Sequence, residues 1–391
     1  MKKSVLKKST LIFFISLIVF YIICFCITLE HDMVCAYFSS FSFTEEFSNK
    51  KPLSSKNFDN LSSNEKKAYI CVLEQIEKHP EYIKIPELTQ NEFNNVFFAV
   101  KNDNPDILCF SDSCNMVSYM SASFLQMNYL YDTDTCDKMK EELLSKVKNI
   151  VQNINTEDQY SAELYIHDYI VKNCVYAEDS KNSSNAYGCL VENNAVCSGY
   201  SRAAMLLLSE VGIDSLLVGG TGITTENESI SHMWNLVWID DTPYHLDVTW
   251  DDPTTANDAI SHMFFNLTTE SIASDHKDIT TDIECTQISA NYFAKENLLF
   301  DDYNKKILKT ITDRLIENIK AGKNYIEFEF SDKNAYQKAV SSVIDNSSYA
   351  SDIYDVIEEI SVHTDNTVDT SHINFVKEDS KCYIRLMFDT K

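Results

Sequence analysis

The sequence predicts an α+β chain. Helix-start signatures recur ahead of apolar stretches with a 3.6-residue period, and short alternating stretches between them read as strands. The third observation is length: 391 residues, enough for two or three domains at roughly 150 residues each. Composition is that of a globular protein, 44% hydrophobic and 24% charged. The net charge of −26 argues against nucleic acid and anionic membrane surfaces as partners, because like charges repel. Its plain meaning is an acidic, solvated surface.

Residues 1–36 stand apart. Lys2, Lys3, Lys7 and Lys8 precede an uncharged run from Ser9 to Leu29. A basic flank ahead of about 20 apolar residues fits either a signal peptide or an uncleaved transmembrane anchor. The run exceeds the roughly 7–15 residues of an ordinary signal core, which favours the anchor. Val34-Cys35-Ala36, in turn, offers a small-residue cleavage site. Either reading leaves the lysines in the cytoplasm and exports the remainder, membrane-anchored or secreted. Of the 12 cysteines, Cys24, Cys26 and Cys35 lie in this segment, which leaves nine beyond it. An exported chain can form disulfides. An odd number leaves at least one thiol unpaired in a monomer, and Cys197 is the candidate. Cys109 and Cys114 lack the companion pairs of a zinc site. Neither a metal nor an organic cofactor is expected.

Residues 37–60 read as a tether, and 61–155 as an N-terminal α+β region. Ser62-Ser63-Asn64-Glu65 is a capping box for a helix to about Lys78. Thr89-Gln90-Asn91-Glu92 repeats it ahead of Phe93–Val100. Val117–Tyr119 and Phe124–Tyr131 alternate as strands, and Lys138–Ile154 sets Leu143, Val147 and Ile150 on one helical face. The central region, 156–300, opens on a third capping-box pattern, Thr156-Glu157-Asp158-Gln159, with a helix to about Asn173. A polar loop over 177–185 leads to Cys197 and a second helix. That helix ends near Gly212, a residue suited to the left-handed position after a C-terminus. Ile213–Val218 is a strand. Gly219-Gly220-Thr221-Gly222 lacks phosphate-loop spacing and reads as a plain loop. Strands His232–Ile239 and Pro243–Trp250 follow, joined by a tight turn. The tail, 301–391, is an accessory α+β domain: helix Lys305–Lys320, strand Tyr325–Phe330, helix Asn334–Ile344, and strands Ile357–Val362 and Cys382–Phe388.

Chemistry concentrates in the central region. Cys197, His232 and Asp247 supply a thiol, an imidazole and a carboxylate in that order. If Asp240-Asp241 form a two-residue turn, partners across the hairpin have numbers that sum to 481, as 240 and 241 do. His232 then lies diagonal to Asp247 on one face. A thiol at a helix start meets positive partial charge and free N–H groups, which favour thiolate and offer an oxyanion site. Singly, each residue has a bland explanation: a small buried cysteine, a core histidine. Trp234, Trp238 and Trp250 read as core or cleft-wall packing. The ordered combination points to nucleophilic acyl chemistry.

Ala195-Val196-Cys197-Ser198-Gly199-Tyr200, His232-Met233-Trp234-Asn235 and the stretch from Tyr244 through Asp247-Val248-Thr249-Trp250-Asp251-Asp252 to Pro253 resemble the transglutaminase-like superfamily. The likeness spans roughly 160–300 and takes in Tyr187-Gly188 and Asp275-His276. It implies a papain-like α+β core, with Cys197 as nucleophile, His232 as base and acid, and Asp247 as the orienting group. Tyr187 and Trp234 would contact substrate. It also implies a cysteine protease or acyltransferase acting on protein or peptide amide bonds, hydrolysis ahead of amine transfer. Cys189 departs from the small residue usual there. The rival reading is a non-catalytic surface-binding or scaffold protein that keeps the fold.

Overall fold

A computed structural model describes residues 13–22, 33, 36–37, 43–44, 46, 51–111, 113–119, 122–152, 154–155, 157–252, 260–344, 351–364 and 368–390. Residues 13–22 are helical, and most of the other residues of the 1–36 segment lie outside this set. Among the described residues no helix is long and apolar enough to cross a membrane. The chain divides into two compact units, Met1–Ser145 and Lys146–Lys391.

In the first unit, α1 (Ser63–Leu73) and α2 (Gln90–Asp103) both start on reciprocal capping boxes, Ser62 with Glu65 and Thr89 with Glu92. The first helix stops short of Lys78. Its chain tightens into a 3-10 turn, Ile76–Lys78, and leaves through a left-handed His79. Pro80 follows, and a residue before proline is disfavoured in helical conformation. Strands β1 (Tyr82–Ile85), β2 (Asn115–Tyr119) and β3 (Ala122–Gln126) form an antiparallel sheet in the order β1-β3-β2. Tyr69, Ile70, Leu73, Ile83, Val96, Val100 and Leu125 fill its core. The end of the predicted tether is ordered: Lys56–Asp59 is helical, and the Phe58 N–H donates to Asp103 at 2.9 Å. Cys109 and Cys136 form a disulfide. Helix α3 runs over Thr133–Val151, earlier than its apolar face implies, because Asp132 accepts the Thr135 N–H at 2.9 Å and acts as the cap.

The second unit begins with α4 (Gln159–Asn173), capped by Asp158 rather than Thr156; its side chain accepts from the Ser161 N–H. Short strands β4 (Val175–Tyr176) and β5 (Asn194–Ala195) pair in parallel and deliver the chain to α5 (Cys197–Glu210). Gly212 takes φ +77° behind it. Strands β6 (Ser215–Ile223), β7 (Ser229–Ile239), β8 (Thr242–Leu246) and β9 (His276–Lys277) form an antiparallel sheet, order β8-β7-β6-β9. Two expectations are corrected here. The glycine run is strand, not loop: a Cβ at Gly220 would meet Lys277 O at 2.6 Å and Trp234 at 2.8 Å, and one at Gly222 would meet Trp250 at 2.7 Å. The glycines make room for the indoles and for β9. Strand β8 also ends at Leu246, so Asp247 sits in the turn just beyond it. The hairpin itself is a two-residue turn with φ 48° at Asp240 and 62° at Asp241, as type I′ geometry requires. Asn235 lies opposite Leu246, the register in which numbers sum to 481.

The last part of the unit holds β10 (Leu299–Phe300), α6 (Lys305–Lys320), β11 (Tyr325–Phe330), α7 (Lys333–Val343), α8 (Ser351–His363), β12 (Val368–Glu378) and β13 (Tyr383–Thr390). Its sheet order is β10-β11-β13-β12. The segment read as strand Ile357–Val362 is part of α8. Ile353, Val356 and Ile360 are its buried residues, and spacings of three and four put them on one helical face.

Candidate functional site

Helix α5 starts at Cys197 with no side chain capping it at Val196; Gly199 and Tyr200 N–H already donate to Val196 O at 2.8 and 3.1 Å, which leaves the N–H groups of Cys197 and Ser198 for a ligand. Two side chains dock this helix start on β7. Ser201 Oγ lies 2.8 Å from Cys197 O and 3.0 Å from Met233 O. Fully buried Asn235 donates to Ser201 O at 3.0 Å. The asparagine of the His-x-Trp-Asn stretch thus ties the thiol-bearing helix to the histidine-bearing strand. Sequence reasoning left it without a role.

His232 faces Gly220 across the sheet and is 4% exposed. Its Nε2 lies 2.6 Å from Asp247 Oδ2, and Cys197 stands close enough to act on the charge of the ring. With Nε2 on the carboxylate, Nδ1 is the nitrogen left for the thiol. Burial pulls the imidazole pKa down, but the Asp247 charge, that hydrogen bond and Cys197 outweigh it and push it up to about 10. Asp247 is fully buried. Its other oxygen accepts from Thr249 N at 3.0 Å and Trp250 N at 3.3 Å. Burial opposes its ionisation, yet His232 and His276 hold it well below the usual carboxylate range. The structure therefore brings Cys197, His232 and Asp247 together, Cys197 being half-buried and the other two enclosed.

The chain of contacts continues past the three residues. His276 Nε2 is 3.1 Å from Asp247 Oδ2, and its Nδ1 is 2.7 Å from Asp275 Oδ1. Asp275 in turn meets Lys381 Nζ at 3.1 Å. Lys381 lies in the β12–β13 turn, where no chemistry was anticipated. The sequence signal was the pair Asp275-His276 itself, but a contact with Lys381, 106 positions further on, leaves no trace in sequence spacing.

The two residues assigned to substrate fare differently. Tyr187 is half-buried, and its N–H donates to Asn185 Oδ1 at 3.0 Å. Trp234 is fully buried, which corrects its assignment: an indole with no exposed surface cannot line a substrate cleft. It donates to His245 Nδ1 at 3.1 Å and stacks 5.9 Å from the His232 ring, so it backs the His232 imidazole. Burial and the His276 charge push His245 down to about 4, consistent with a neutral ring that accepts from Trp234. Half-buried Trp250 lies 5.0 Å from His232 and 4.3 Å from His276.

A second histidine–carboxylate network lies elsewhere in the unit. His167 Nδ1 and His262 Nε2 share Asp168 Oδ1 at 3.0 and 2.8 Å. The remaining nitrogen of His167 meets Asp251 Oδ2 at 3.2 Å, and that of His262 meets Glu327. Glu327 also accepts from Tyr383 at 2.9 Å and pairs with Arg385 at 3.4 Å. Asp251 is fully buried. Among the described residues two groups have donor sets that could hold a metal ion: His167, Asp168 and His262, and His232, Asp247 and His276. In both, the same atoms are engaged in the hydrogen bonds just described.

Residues 148–248 match the transglutaminase-like superfamily. No curated protein matches the chain. Solved structures with local likeness include a "Putative Cysteine Protease" from Cytophaga hutchinsonii, 16% identical, TM-score 0.24, covering 35% of this chain and 61% of that one. Another is a TGase, 10% identical, TM-score 0.26, covering 44% of this chain and 50% of that one. A third, a "putative protease" from Parabacteroides distasonis, is 11% identical, TM-score 0.22, with 34% and 35% covered. The chain thus spans less than two thirds of the length of each.

Proposed function

We propose, from the match of residues 148–248 to the transglutaminase-like superfamily, that this protein is a thiol acyl-transfer enzyme acting on protein or peptide amide bonds. The observation that carries the reading is the Asp247-anchored His232 imidazole beside Cys197 at an uncapped helix start. In this mechanism the Cys197 thiolate attacks the amide carbonyl, and the Cys197 and Ser198 N–H groups at the start of α5 stabilise the oxyanion. The His232 imidazolium gives its proton to the departing amine, leaving a thioester on Cys197. Water or a second amine then attacks the thioester, with neutral His232 taking the proton. Asp247 fixes the ring tautomer and supports its charge throughout. We place water ahead of an amine as the acceptor; the acyl-enzyme is common to both. Action outside the cytoplasm is part of the proposal, supported by the basic, then apolar, N-terminus and by the Cys109–Cys136 disulfide.

The test is to incubate the full chain with a glutamine-containing protein and a labelled amine, following label incorporation, ammonia and released peptides together. New peptide termini or ammonia without incorporation mean hydrolysis. Incorporation means transfer and overturns the choice of acceptor. Neither product, together with no covalent capture of Cys197 by peptide acylating probes, sinks the enzyme reading and leaves a binding protein.

A further inference from the structure

We propose that Tyr176 contacts substrate on the thiol side of the site, its ring receiving an aromatic or large aliphatic group carried next to the reacting carbonyl. The inference deepens the acyl-transfer reading and rests on it for the nature of the substrate. Tyr176 is the second residue of β4 and stands directly opposite Ala195 of β5. Val175 N donates to Asn193 O and Ala177 N to Ala195 O, each at 3.0 Å, so the pairing is held on both sides of Tyr176. Paired residues of adjacent strands put their side chains on one face, and so do residues two apart on an extended strand. Val196 is extended, at φ −101° and ψ 178°, so Tyr176, Ala195 and Cys197 share a face. A strand spacing of about 4.8 Å and a rise of about 3.3 Å per residue set the Cα atoms of Tyr176 and Cys197 roughly 8 Å apart.

The position of the ring agrees with that register. Its centroid is 6.4 Å from that of Tyr200, with 32° between the planes, and Tyr200 belongs to the first turn of α5, three residues beyond Cys197. Burial, then the charges of Cys197 and Glu178, raise the Tyr176 phenol above its ordinary value, in keeping with a ring beside the thiol. Tyr200 is fully buried, whereas Tyr176 is 44% exposed. Tyr176 therefore packs against Tyr200 and offers the rest of its ring to solvent beside the half-buried Cys197. An uncharged ring at that place gains from the apolar area it covers, and the Glu178 carboxylate two residues on repels an acidic group. Trp250 flanks the His232 ring at 5.0 Å; Tyr176 is its counterpart on the thiol side. It takes the role that burial denies Trp234.

The full chain is alkylated with iodoacetamide and, separately, with N-benzyliodoacetamide, which carries the same reactive carbon and an added ring. Each rate is read by mass spectrometry on the peptide that holds Cys197. The ratio of the two rates, set against their ratio on glutathione, cancels the reactivity of the thiol itself. Wild type should favour the benzyl reagent, and Tyr176→Ala should lower the ratio by about 3- to 10-fold, the scale of one aromatic pair. Tyr176→Phe should keep the wild-type ratio, since the ring and not the hydroxyl makes the contact. Tyr176→Gln, which keeps reach without a ring, should behave as the alanine variant and replaces it if that chain does not fold. An unchanged ratio in the folded alanine or glutamine variant, or an equal fall in Tyr176→Phe, overturns the proposal. The two failures separate. Slow labelling of Cys197 by both reagents with a ratio that still depends on Tyr176 counts against acyl transfer and leaves the contact standing. Fast labelling with a ratio indifferent to Tyr176 spares acyl transfer and removes the contact.

Discussion

Two buried networks in the second unit are built alike and end differently. In each, two histidines share one aspartate: His232 and His276 on Asp247, His167 and His262 on Asp168. In the first, the far nitrogen of one histidine is left to a half-buried thiol. In the second, both far nitrogens end on buried carboxylates, Asp251 and Glu327. A buried imidazole paired on both sides is cement, because neither nitrogen can exchange a proton with a ligand. An imidazole paired on one side only is poised to do so. The difference lies in the free end, not in burial or in charge. It separates a candidate for chemistry from a structural bond between α4, the loop at His262 and strands β11 and β13.

The sharpest way to break the comparison is to remove the free end. Cys197→Ala should abolish acyl transfer, by on the order of 10⁴-fold or more, with circular dichroism and Tm near wild type, since a half-buried thiol contributes little packing. Unchanged turnover removes the first network from the chemistry. Without a known substrate, alkylation serves instead. Iodoacetamide at mildly acidic pH should label Cys197 faster than any other free thiol. Burial pushes Cys114 and Cys71 up to about 12 and Cys285 to about 11, while Cys197 is half-buried beside the His232 imidazole. Equal rates across these sites would refute the thiol–imidazole pairing.

The next largest effect should come from the shared aspartate. Asp247→Asn should slow acylation by about 10²- to 10⁴-fold, less completely than His232→Ala. Asparagine keeps one acceptor, but its NH₂ confronts nitrogens of His232 and His276 that now face a carboxylate. The His232 pKa should fall from about 10, and fast labelling of Cys197 at acidic pH should fade with it. Pre-steady-state acylation and the labelling–pH profile measure both. If Asp247→Asn equals His232→Ala while both stay folded, the carboxylate does more than orient the ring.

These residues differ in how legible they were. The register of the β7–β8 hairpin follows from two adjacent aspartates able to take positive φ, and with it the approach of His232 to Asp247. Capping boxes marked α1 and α2 because their signal is local, four residues long. The glycine strand was misread because its reason is non-local: indoles from Trp234 and Trp250 occupy the space where side chains would stand. Trp234 was misplaced because strand alternation puts it on the face of His232 but does not say which end of that face is open. The second network was invisible for the same reason. Its members come from α4, the turns after β8 and the C-terminal sheet, and no spacing links them.

Breaking the closed network should cost stability and spare chemistry. His262→Gln leaves Asp168 and Glu327 facing each other without a charge between them, and loss of one partner from a buried pair costs about 3–5 kcal/mol. Cys197 labelling per folded molecule should not change. The sign of the pH dependence follows from the shift. Burial lowers the His262 pKa, but Glu327 and Asp168 raise it from 6.5 to about 10 in the fold. Its stabilisation is therefore complete below about 6.5 and is lost as pH rises through about 10. Denaturant titrations should show the wild-type advantage over the variant shrinking across that window. An advantage that grows with pH contradicts a protonated His262.

The smallest effect tests how far the first network reaches. Lys381 is almost wholly covered, its side chain 3% exposed. Beyond Asp275 it donates to Ser271 O at 3.2 Å and Ser274 Oγ at 3.1 Å, and it lies 4.7 Å from the Phe264 ring centre. Lys381→Met keeps most of the stem and its packing while removing the charge. Burial raises the Asp275 pKa, but the His276 bond and the Lys381 charge hold it below its ordinary value. In the variant Asp275 should protonate at higher pH, which weakens its hold on His276 and, through His276, the placement of Asp247. Four side chains stand between Lys381 and the thiol, so the acylation or labelling rate should fall only a few-fold at neutral pH, less than about tenfold. The telling readout is the acid limb of the Cys197 labelling profile, which should move to higher pH in Lys381→Met and return toward wild type in Lys381→Arg. A rate loss with an unmoved acid limb would mean that Lys381 only holds the β12–β13 turn in place. An unmoved rate and an unmoved limb would end the functional network at His276.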